Sequence, residues 1–220
     1  MMQFTFKFIH EKEFTEENFI ISYCNLEAYK AIKSFQTWPE YRMLILGSEG
    51  GGKSHLAKIF AKEAGGEFIS YDDEELNLKA KAWILEDIEQ FGDENQLFHK
   101  INLAKEHSIR LLITAEFLPR YNLKDLQSRI NATAKVIIKR PDDGLLRALL
   151  MRHFSDRQLI VSSDVMEYIF TRTERSFEYI KRLVENIDKL SLEQKREITA
   201  PLVKKVLEKY MPENLADESE

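Results

Sequence analysis

Residues 47–54 read Gly47-Ser48-Glu49-Gly50-Gly51-Gly52-Lys53-Ser54 and fit the pattern G-x-x-x-x-G-K-[ST], which is typical of a phosphate-binding loop. The glycines allow a tight turn in which several backbone N–H groups point inward at an anion. In such a loop the lysine reaches the β- and γ-phosphates of a nucleotide, and the Ser54 hydroxyl is a ligand for Mg²⁺. The residues expected to bind nucleotide here are Gly47, Gly50, Gly51, Gly52, Lys53 and Ser54, with the adjoining His55, which is also expected to pack locally.

The sequence on either side of this loop supports the interpretation. Residues 43–46 form a short apolar run, as expected for a strand buried in a parallel sheet. After the loop, apolar residues recur at the spacing of one helix face, namely Leu56, Ile59, Phe60 and Ala64. A flexible turn that fits the pattern by accident is the alternative, but the order of strand, loop and helix is the context that the motif requires.

Strands and helices are predicted to alternate along the first two thirds of the chain. Apolar runs predict strands at 43–46, 68–71, 82–85, 110–113 and 135–138, and helical patterns occupy about 26–35, 53–64, 94–107 and 122–131. This alternation favours a parallel sheet with helices on both faces. The predicted fold class is therefore α/β, with a five-stranded parallel sheet.

The pattern changes at Pro141, after which only helices are predicted. Asp142 or Asp143 is expected to cap the first of them, and the later ones cover about 164–172, the apolar positions between 177 and 190, and 199–210. The predicted organisation is an N-terminal peptide at 1–10, an α/β nucleotide-binding domain at 11–139, a small all-helical lid at 140–210 and an acidic tail at 211–220.

Composition places the chain among ordinary globular proteins. It has 220 residues, is 44% hydrophobic and carries a net charge of −5, and no segment has the strongly basic balance of a stand-alone DNA-binding module. No apolar run reaches the roughly 20 residues needed to span a membrane, and the N-terminus lacks a secretory pattern. The lone cysteine, Cys24, suits a reducing compartment and is expected to be a small buried side chain. The expected location is the cytoplasm.

Two adjacent acids, Glu86 and Asp87, directly follow the apolar run at 82–85. A nucleotide-hydrolysing protein needs a carboxylate at the end of a core strand to hold Mg²⁺ and to poise water. Glu86 would stand at the metal-ligand position, and Asp87 would polarise the attacking water. A solvated strand end with ordinary acids is the alternative. Many such proteins carry Asp at the first position, and a longer side chain there predicts slow intrinsic hydrolysis because Mg²⁺ demands near-ideal octahedral geometry.

The order of these motifs resembles the AAA+ family, and within it the DnaA-related group and its Hda regulators. The loop at 47–56 is similar to that of Hda, residues 112–116 resemble the strand end called sensor I, and residues 125–129 read Asp-Leu-Gln-Ser-Arg, like the D-L-x-S-R box that carries an arginine finger. Residues 174–178 resemble the sensor II region of the lid, and the segment at 19–28 resembles the one around the adenine. The resemblance covers nearly the whole chain.

The resemblance implies roles for individual residues. ADP or ATP with Mg²⁺ would be the cofactor, with Phe19 near the adenine and Ser54 and Glu86 on the metal. Either Thr114 or Glu116 would sense the γ-phosphate. Arg129 would be the arginine finger, its alternative being an ordinary pair with Asp125 one helical turn earlier. Arg175 would reach the phosphates from the lid, unless it is a solvated charge at a helix end.

The resemblance also implies partners. Hda-like proteins dock on the DNA-loaded sliding clamp and promote hydrolysis of the ATP held by the DnaA initiator through its AAA+ domain. The clamp-binding residues would be Gln3, Phe4, Phe6 and Phe8, in an extended peptide that buries alternate side chains. A strand of this protein's own fold is the alternative for residues 1–8. Unlike DnaA, the protein is expected to carry no sequence-specific DNA-binding domain after the lid, and a homo-oligomer is one assembly that the resemblance allows.

Two other functions compete with this interpretation. The chain would be an autonomous ATP-consuming enzyme, such as a helicase loader or a P-loop kinase, if its own site turns over ATP. It would be a pure adaptor if nucleotide only orders the fold. The helical segment after Pro141 fits an AAA+ lid better than a kinase lid.

Overall fold

The computed structural model describes residues 14–210, and its centre is one parallel sheet. The strands are β1 Arg42–Leu46, β2 Gly66–Phe68, β3 Ala82–Leu85, β4 Arg110–Ala115 and β5 Ala134–Ile137. They lie in the order β2-β3-β4-β1-β5, and every neighbouring pair is parallel. The predicted five-stranded parallel sheet is confirmed. The carboxyl ends of β3, β4 and β1 therefore lie side by side at one edge of the sheet.

Helices cover both faces of this sheet, as predicted. Their bounds are α1 Leu26–Lys33, α2 Lys53–Ala64, α3 Glu94–Glu106 and α4 Lys124–Ala132. Alternate residues of β1 point to opposite faces: Met43 and Ile45 join a core with α1 and α2, whereas Leu44 joins a core with α3 and α4. Three short 3-10 turns, at Phe35–Thr37, Pro39–Tyr41 and Ile88–Gln90, complete this part.

The prediction for the second strand was wrong in its position. The sequence places it at 68–71, but β2 is Gly66–Phe68 and shares only Phe68 with that range. Gly66 packs closely on β3: a Cβ there would lie 2.9 Å from Ile84 Cδ1 and 3.1 Å from Ala82 Cβ, so a side chain would require its neighbours to shift. The chain turns away at Ser70, whose N–H donates to Asp73 Oδ2 at 2.7 Å.

Four helices follow the sheet and share a hydrophobic core of their own. They are α5 Asp143–Asp156, α6 Ser163–Thr171, α7 Phe177–Gln194 and α8 Ala200–Tyr210. Asp142 caps α5 by accepting a hydrogen bond from Leu145 N at 2.8 Å, and Ser162 and Ser176 cap the next two helices. The all-helical lid is therefore present, whereas the exact domain limits stay a prediction. The N-terminal peptide and the acidic tail lie outside the described residues.

Two further sequence expectations concern burial and membranes. Cys24 is 4% exposed and packs in the core beside α1, as expected of a small buried side chain. Between residues 14 and 210, none of the helices combines the length and the apolar character that crossing a bilayer requires.

Candidate nucleotide site

The loop at 47–54 joins the carboxyl end of β1 to the start of α2. Gly47 N donates to Ala115 O at 3.1 Å, which fastens the beginning of the loop to the end of β4. Lys53 is buried, and its ammonium donates to Gly47 O at 2.7 Å and to Ser48 O at 3.3 Å. The lysine thus curls over its own loop, and the N-terminus of a 12-residue helix adds a positive dipole end at the same place.

Two glycines of the loop have left-handed backbone conformations. Gly50 has φ +73° and Gly52 has φ +93°. A Cβ on Gly50 would lie 3.1 Å from Phe177 Cβ, and a Cβ on Gly52 would lie 3.1 Å from Phe19 Cε2. Glycine is therefore required both by conformation and by the close approach of these two aromatic residues.

The acids predicted to poise metal and water follow β3 at the same edge. Asp87 has φ 50°, and its N–H donates to Thr114 Oγ1 at 3.1 Å. Thr114 is fully buried at the end of β4, whereas Glu116 is exposed and its N–H donates to Glu89 Oε1 at 2.9 Å. Of the two sensor candidates, Thr114 is the one in direct contact with the acidic pair.

The environment of the Glu86 carboxylate is that expected of a cation ligand. Its Oε1 is buried without a hydrogen-bond partner among residues 14–210. A buried carboxylate oxygen is costly unless it is paired or coordinates a metal. Ser54, by contrast, is exposed at the mouth of the loop. The residues present therefore fit Mg²⁺, which binds through few protein oxygens and takes the rest of its ligands from phosphates and water.

The segment before α1 packs over the start of α2. Phe19 stacks on Tyr29 with ring centroids 6.0 Å apart and meets the His55 ring edge-on at 5.1 Å. His55 Nε2 lies 2.6 Å from Thr15 O, to which it donates as a neutral ring, and burial lowers the pKa of this histidine. His55 therefore packs locally, and Phe19 lies directly beside Gly52 of the loop.

Lid residues reach the phosphate loop from the other side. Phe177, the first residue of α7, is buried against Gly50 and Gly51, and Lys181 pairs with Glu49 at 3.5 Å. Arg175 instead pairs with Asp143, with Nε to Oδ1 at 2.7 Å and Nη2 to Oδ2 at 3.2 Å. The hydrogen bond from Arg175 lowers the pKa of the Asp143 carboxyl. Both side chains are exposed, so a phosphate can compete for this arginine.

Arg129 lies at the opposite edge of the sheet from the phosphate loop. It stands near the end of α4, which leads through Thr133 into the amino end of β5. Its guanidinium carbon is 5.5 Å from the centroid of the Phe98 ring, and within residues 14–210 no ion pair joins it to Asp125. The structure brings the loop, Glu86, Asp87 and Thr114 together but keeps Arg129 apart from them.

Sequence reasoning missed three residues that shape the site. Phe177 was predicted as an apolar position of a lid helix and as part of the sensor II stretch at 174–178, but no contact with the phosphate loop was predicted for it. Asp143 was assigned only to capping, and its pairing with Arg175 had no sequence signal. Ile138 packs against the loop, where a Cβ on Gly47 would lie 3.0 Å from Ile138 Cβ. The clamp-binding candidates Gln3, Phe4, Phe6 and Phe8 lie outside the described residues.

The family model that matches this chain covers its lid. Residues 142–207 match the family model described as the lid domain of Hda. Over 133 residues the chain is 25% identical to the chromosomal replication initiator protein DnaA of Buchnera aphidicola subsp. Cinara cedri. That match covers 57% of this chain and 30% of the relative, so the chain spans less than a third of the relative's length.

Solved structures with the same fold include initiators and a motor protein. Domain III of the Thermotoga maritima replication initiation protein DnaA has a TM-score of 0.71 at 15% identity, covering 91% of this chain and 98% of that one. AMPPCP-bound DnaA from Aquifex aeolicus has a TM-score of 0.61 at 21% identity, covering 84% and 68%. The Thermotoga maritima RuvB Holliday junction branch migration motor reaches 0.56 at 18% identity, covering 83% and 68%. At these identities the likeness establishes the fold.

Proposed function

We propose that the chain is an AAA+ protein related to DnaA, with a lid like that of Hda, and that it regulates chromosomal replication initiation. In this proposal it binds ADP or ATP with Mg²⁺ and promotes hydrolysis of the ATP held by the AAA+ domain of DnaA. It acts together with the DNA-loaded sliding clamp. The Hda lid match over 142–207 and the sequence similarity to DnaA support the replication context.

The position of Arg129 carries the proposal. The phosphate loop follows the carboxyl end of β1, whereas Arg129 lies beside the amino ends of β1 and β5. Because the two are at opposite edges of one sheet, Arg129 cannot reach a nucleotide bound by its own loop. An arginine supplied to another molecule's phosphoryl group neutralises developing charge and is worth roughly 10³–10⁵ in rate in other systems. In the proposal, Arg129 therefore acts on a nucleotide that a partner holds.

The nucleotide held by this chain has an ordering role in the proposal. The loop glycines and Lys53 would hold the phosphates, and Ser54 and Glu86 would hold Mg²⁺, which neutralises phosphate charge. Phe177 and Lys181 of α7 already contact the loop, so a bound nucleotide would bridge the sheet and the lid. Arg175 would exchange its Asp143 partner for a phosphate. The longer side chain at Glu86 makes intrinsic hydrolysis slow.

Clamp docking is assigned to the N-terminal peptide on sequence alone. Gln3 would anchor one end by hydrogen bonds, and the alternating Phe4, Phe6 and Phe8 would fill a hydrophobic pocket. Removing residues 1–8 tests this part by itself. The truncated protein should lose binding to the clamp while its thermal unfolding midpoint stays unchanged. A collapsed fold would assign these residues to an internal strand instead.

One set of ATP-turnover measurements tests the whole proposal. Turnover is measured for this protein alone, for DnaA with loaded clamp, and for all components together. Stimulation only in the full mixture is expected. Strong turnover by this protein alone would make it an autonomous ATPase, and absence of stimulation would leave a nucleotide-ordered adaptor.

A substitution of Arg129 distinguishes an effect on the stimulated hydrolysis rate from an effect on folding. Arg129→Ala should keep nucleotide binding and the unfolding midpoint but reduce the stimulated rate by roughly 10³-fold, the lower end of the effects of such arginines. Lys124→Ala, which removes an exposed charge from the start of the same helix, is the matched control and should keep full stimulation. Equal loss in both variants would argue against a finger at Arg129.

A further inference from the structure

Arg42, the first residue of β1, is a buried charge, and two of its guanidinium nitrogens have no hydrogen-bond partner within residues 14–210. The residue is 5% exposed, and the two enclosed nitrogens are Nε and Nη1. An unpaired buried guanidinium destabilises a protein, and a buried polar group without a partner calls for an explanation. Replacement of such a charge by an apolar side chain of similar size is often stabilising.

The strand register places Arg42 beneath the end of α4. Met43 pairs with Ala134, so the preceding residues, Arg42 and Thr133, are neighbours at the amino edge of the sheet. Thr133 donates to Arg129 O through its N–H at 3.0 Å and through Oγ1 at 2.8 Å. The backbone of Arg129 is thereby held beside Arg42.

Arg42 also points to the face of the sheet that α4 covers. It alternates with Met43 and shares the face of Leu44, whose core includes Leu126 and Ile130 of α4. Arg42 and Arg129 therefore lie on the same face and at the same edge of the sheet. The two positive charges are close enough that Arg129 lowers the pKa of Arg42, in addition to the larger effect of burial.

The acid nearest to the pair does not neutralise it. Glu40 raises the pKa of Arg42, but its carboxylate is engaged by Lys105, with Nζ to Oε2 at 2.8 Å. The Glu40 carboxylate is thus shared by three cations, namely Lys105, Arg42 and Arg129. The local excess of positive charge is a field suited to an incoming polyphosphate.

We propose that Arg42 is a positioning residue for Arg129. Its charge beneath the end of α4 repels the Arg129 guanidinium and holds it outward over the Phe98 ring. It also adds to the field that meets the triphosphate of a nucleotide bound to the partner. This inference rests on the proposed function, since it needs a partner's nucleotide at the amino edge.

Arg110 provides a matched control. It is the first residue of β4 and lies at the same edge, in register with Ala82. It shares the face of Leu112, which packs on the α1 and α2 side, and its guanidinium carbon is 5.5 Å from the Phe35 ring centroid. Replacing Arg110 removes the same charge from the same edge but from the opposite face of the sheet.

The experiment compares Arg42→Met, Arg42→Lys and Arg110→Met in the full chain. Two quantities are measured: the thermal unfolding midpoint of the isolated protein, and the partner's ATP hydrolysis rate as a function of the concentration of this protein. Arg42→Met should keep or raise the midpoint while lowering the maximal rate roughly three- to tenfold, because one charge of the field is lost. The concentration for half-maximal rate should not change, since Arg42 is 5% exposed and offers little surface to a partner.

The other variants decide between a charge effect and a packing effect. Arg42→Lys keeps the charge and should restore most of the maximal rate, and Arg110→Met should leave it unchanged. A wild-type rate in Arg42→Met would overturn the inference and leave the proposed function intact. So would a lowered midpoint that Arg42→Lys does not restore, because that marks a structural role. If the wild-type protein itself gives no stimulation, the proposed function fails and the inference fails with it.

Discussion

Lys53 is the residue on which the nucleotide site is centred. Its ammonium is buried and bonded to carbonyl oxygens of its own loop, at 2.7 Å from Gly47 O. Bonds from an ammonium to an anionic phosphate are stronger than bonds to neutral carbonyls. A phosphate entering the loop therefore has a preformed cation to recruit, and little of the protein has to move.

Gly52 is a residue whose substitution should be costly for reasons of backbone alone. Gly52→Ala should lower the free energy of unfolding by about 1–3 kcal/mol, because φ +93° strains an L-residue and the new Cβ would meet Phe19. Urea unfolding measures this change. Gly92→Ala is the control, since no atom lies within 4 Å of a Cβ there, and it should stay within about 0.5 kcal/mol of wild type. Equal effects of the two substitutions would contradict the argument.

Helix α5 links the sheet to the lid and carries a negative charge at its N-cap and at its first residue. Asp142 caps the helix through Leu145 N, and the next residue, Asp143, holds Arg175. Leu145 packs into the core of the sheet, whereas Leu146 packs into the core of the lid. The start of this one helix therefore determines how the lid meets the nucleotide site.

The Asp142 cap is expected to stabilise helix α5. Asp142→Ala should lower the free energy of unfolding by about 0.5–2 kcal/mol, because Leu145 N loses its hydrogen-bond partner. Asp142→Asn keeps an accepting side-chain oxygen and should be close to wild type. Both are measured by urea unfolding followed by circular dichroism. Similar losses in the alanine and asparagine variants would mean that charge, not capping, is what Asp142 supplies.

The candidate functional residues of the whole molecule lie at two opposite edges of the sheet. The carboxyl edge of the sheet carries the phosphate loop, Glu86, Asp87 and Thr114, and is closed by the lid through Phe177. The amino edge carries Arg129 above Arg42. In the proposed function, one edge serves the chain's own nucleotide and the other serves a nucleotide that another molecule holds.

Bound nucleotide should stabilise the whole molecule, because it contacts both the sheet and the lid. ADP or ATP with Mg²⁺ at about 100 times its Kd should add about 2.7 kcal/mol to the free energy of unfolding. Thermal shift and calorimetry measure this gain. Lys53→Ala should abolish it, whereas Lys62→Ala, which removes an exposed lysine from the same helix, should retain it. If nucleotide stabilised Lys53→Ala as much as it stabilises the wild type, the loop would not be the nucleotide-binding site.

Local sequence was sufficient for the elements whose signals are local. The apolar run at 82–85 coincides with β3, and the helix predicted at 53–64 coincides with α2. Strand β1 and the cap at Asp142 were predictable for the same reason. The glycine loop, the apolar period and the capping side chain each act through residues within a few positions of one another.

Tertiary structure alone decided what depends on contacts between distant parts of the chain. Strand β2 covers Gly66–Phe68 because it pairs with β3, Gly66 opposite Ala82 and Phe68 opposite Ile84. Thr114 rather than Glu116 meets Asp87 because β3 and β4 are neighbours in the sheet. Arg129 was identifiable from its box, but its separation from the phosphate loop and its place above Arg42 follow from the strand order. Strand order fixes which edge a side chain occupies, and no local pattern encodes it.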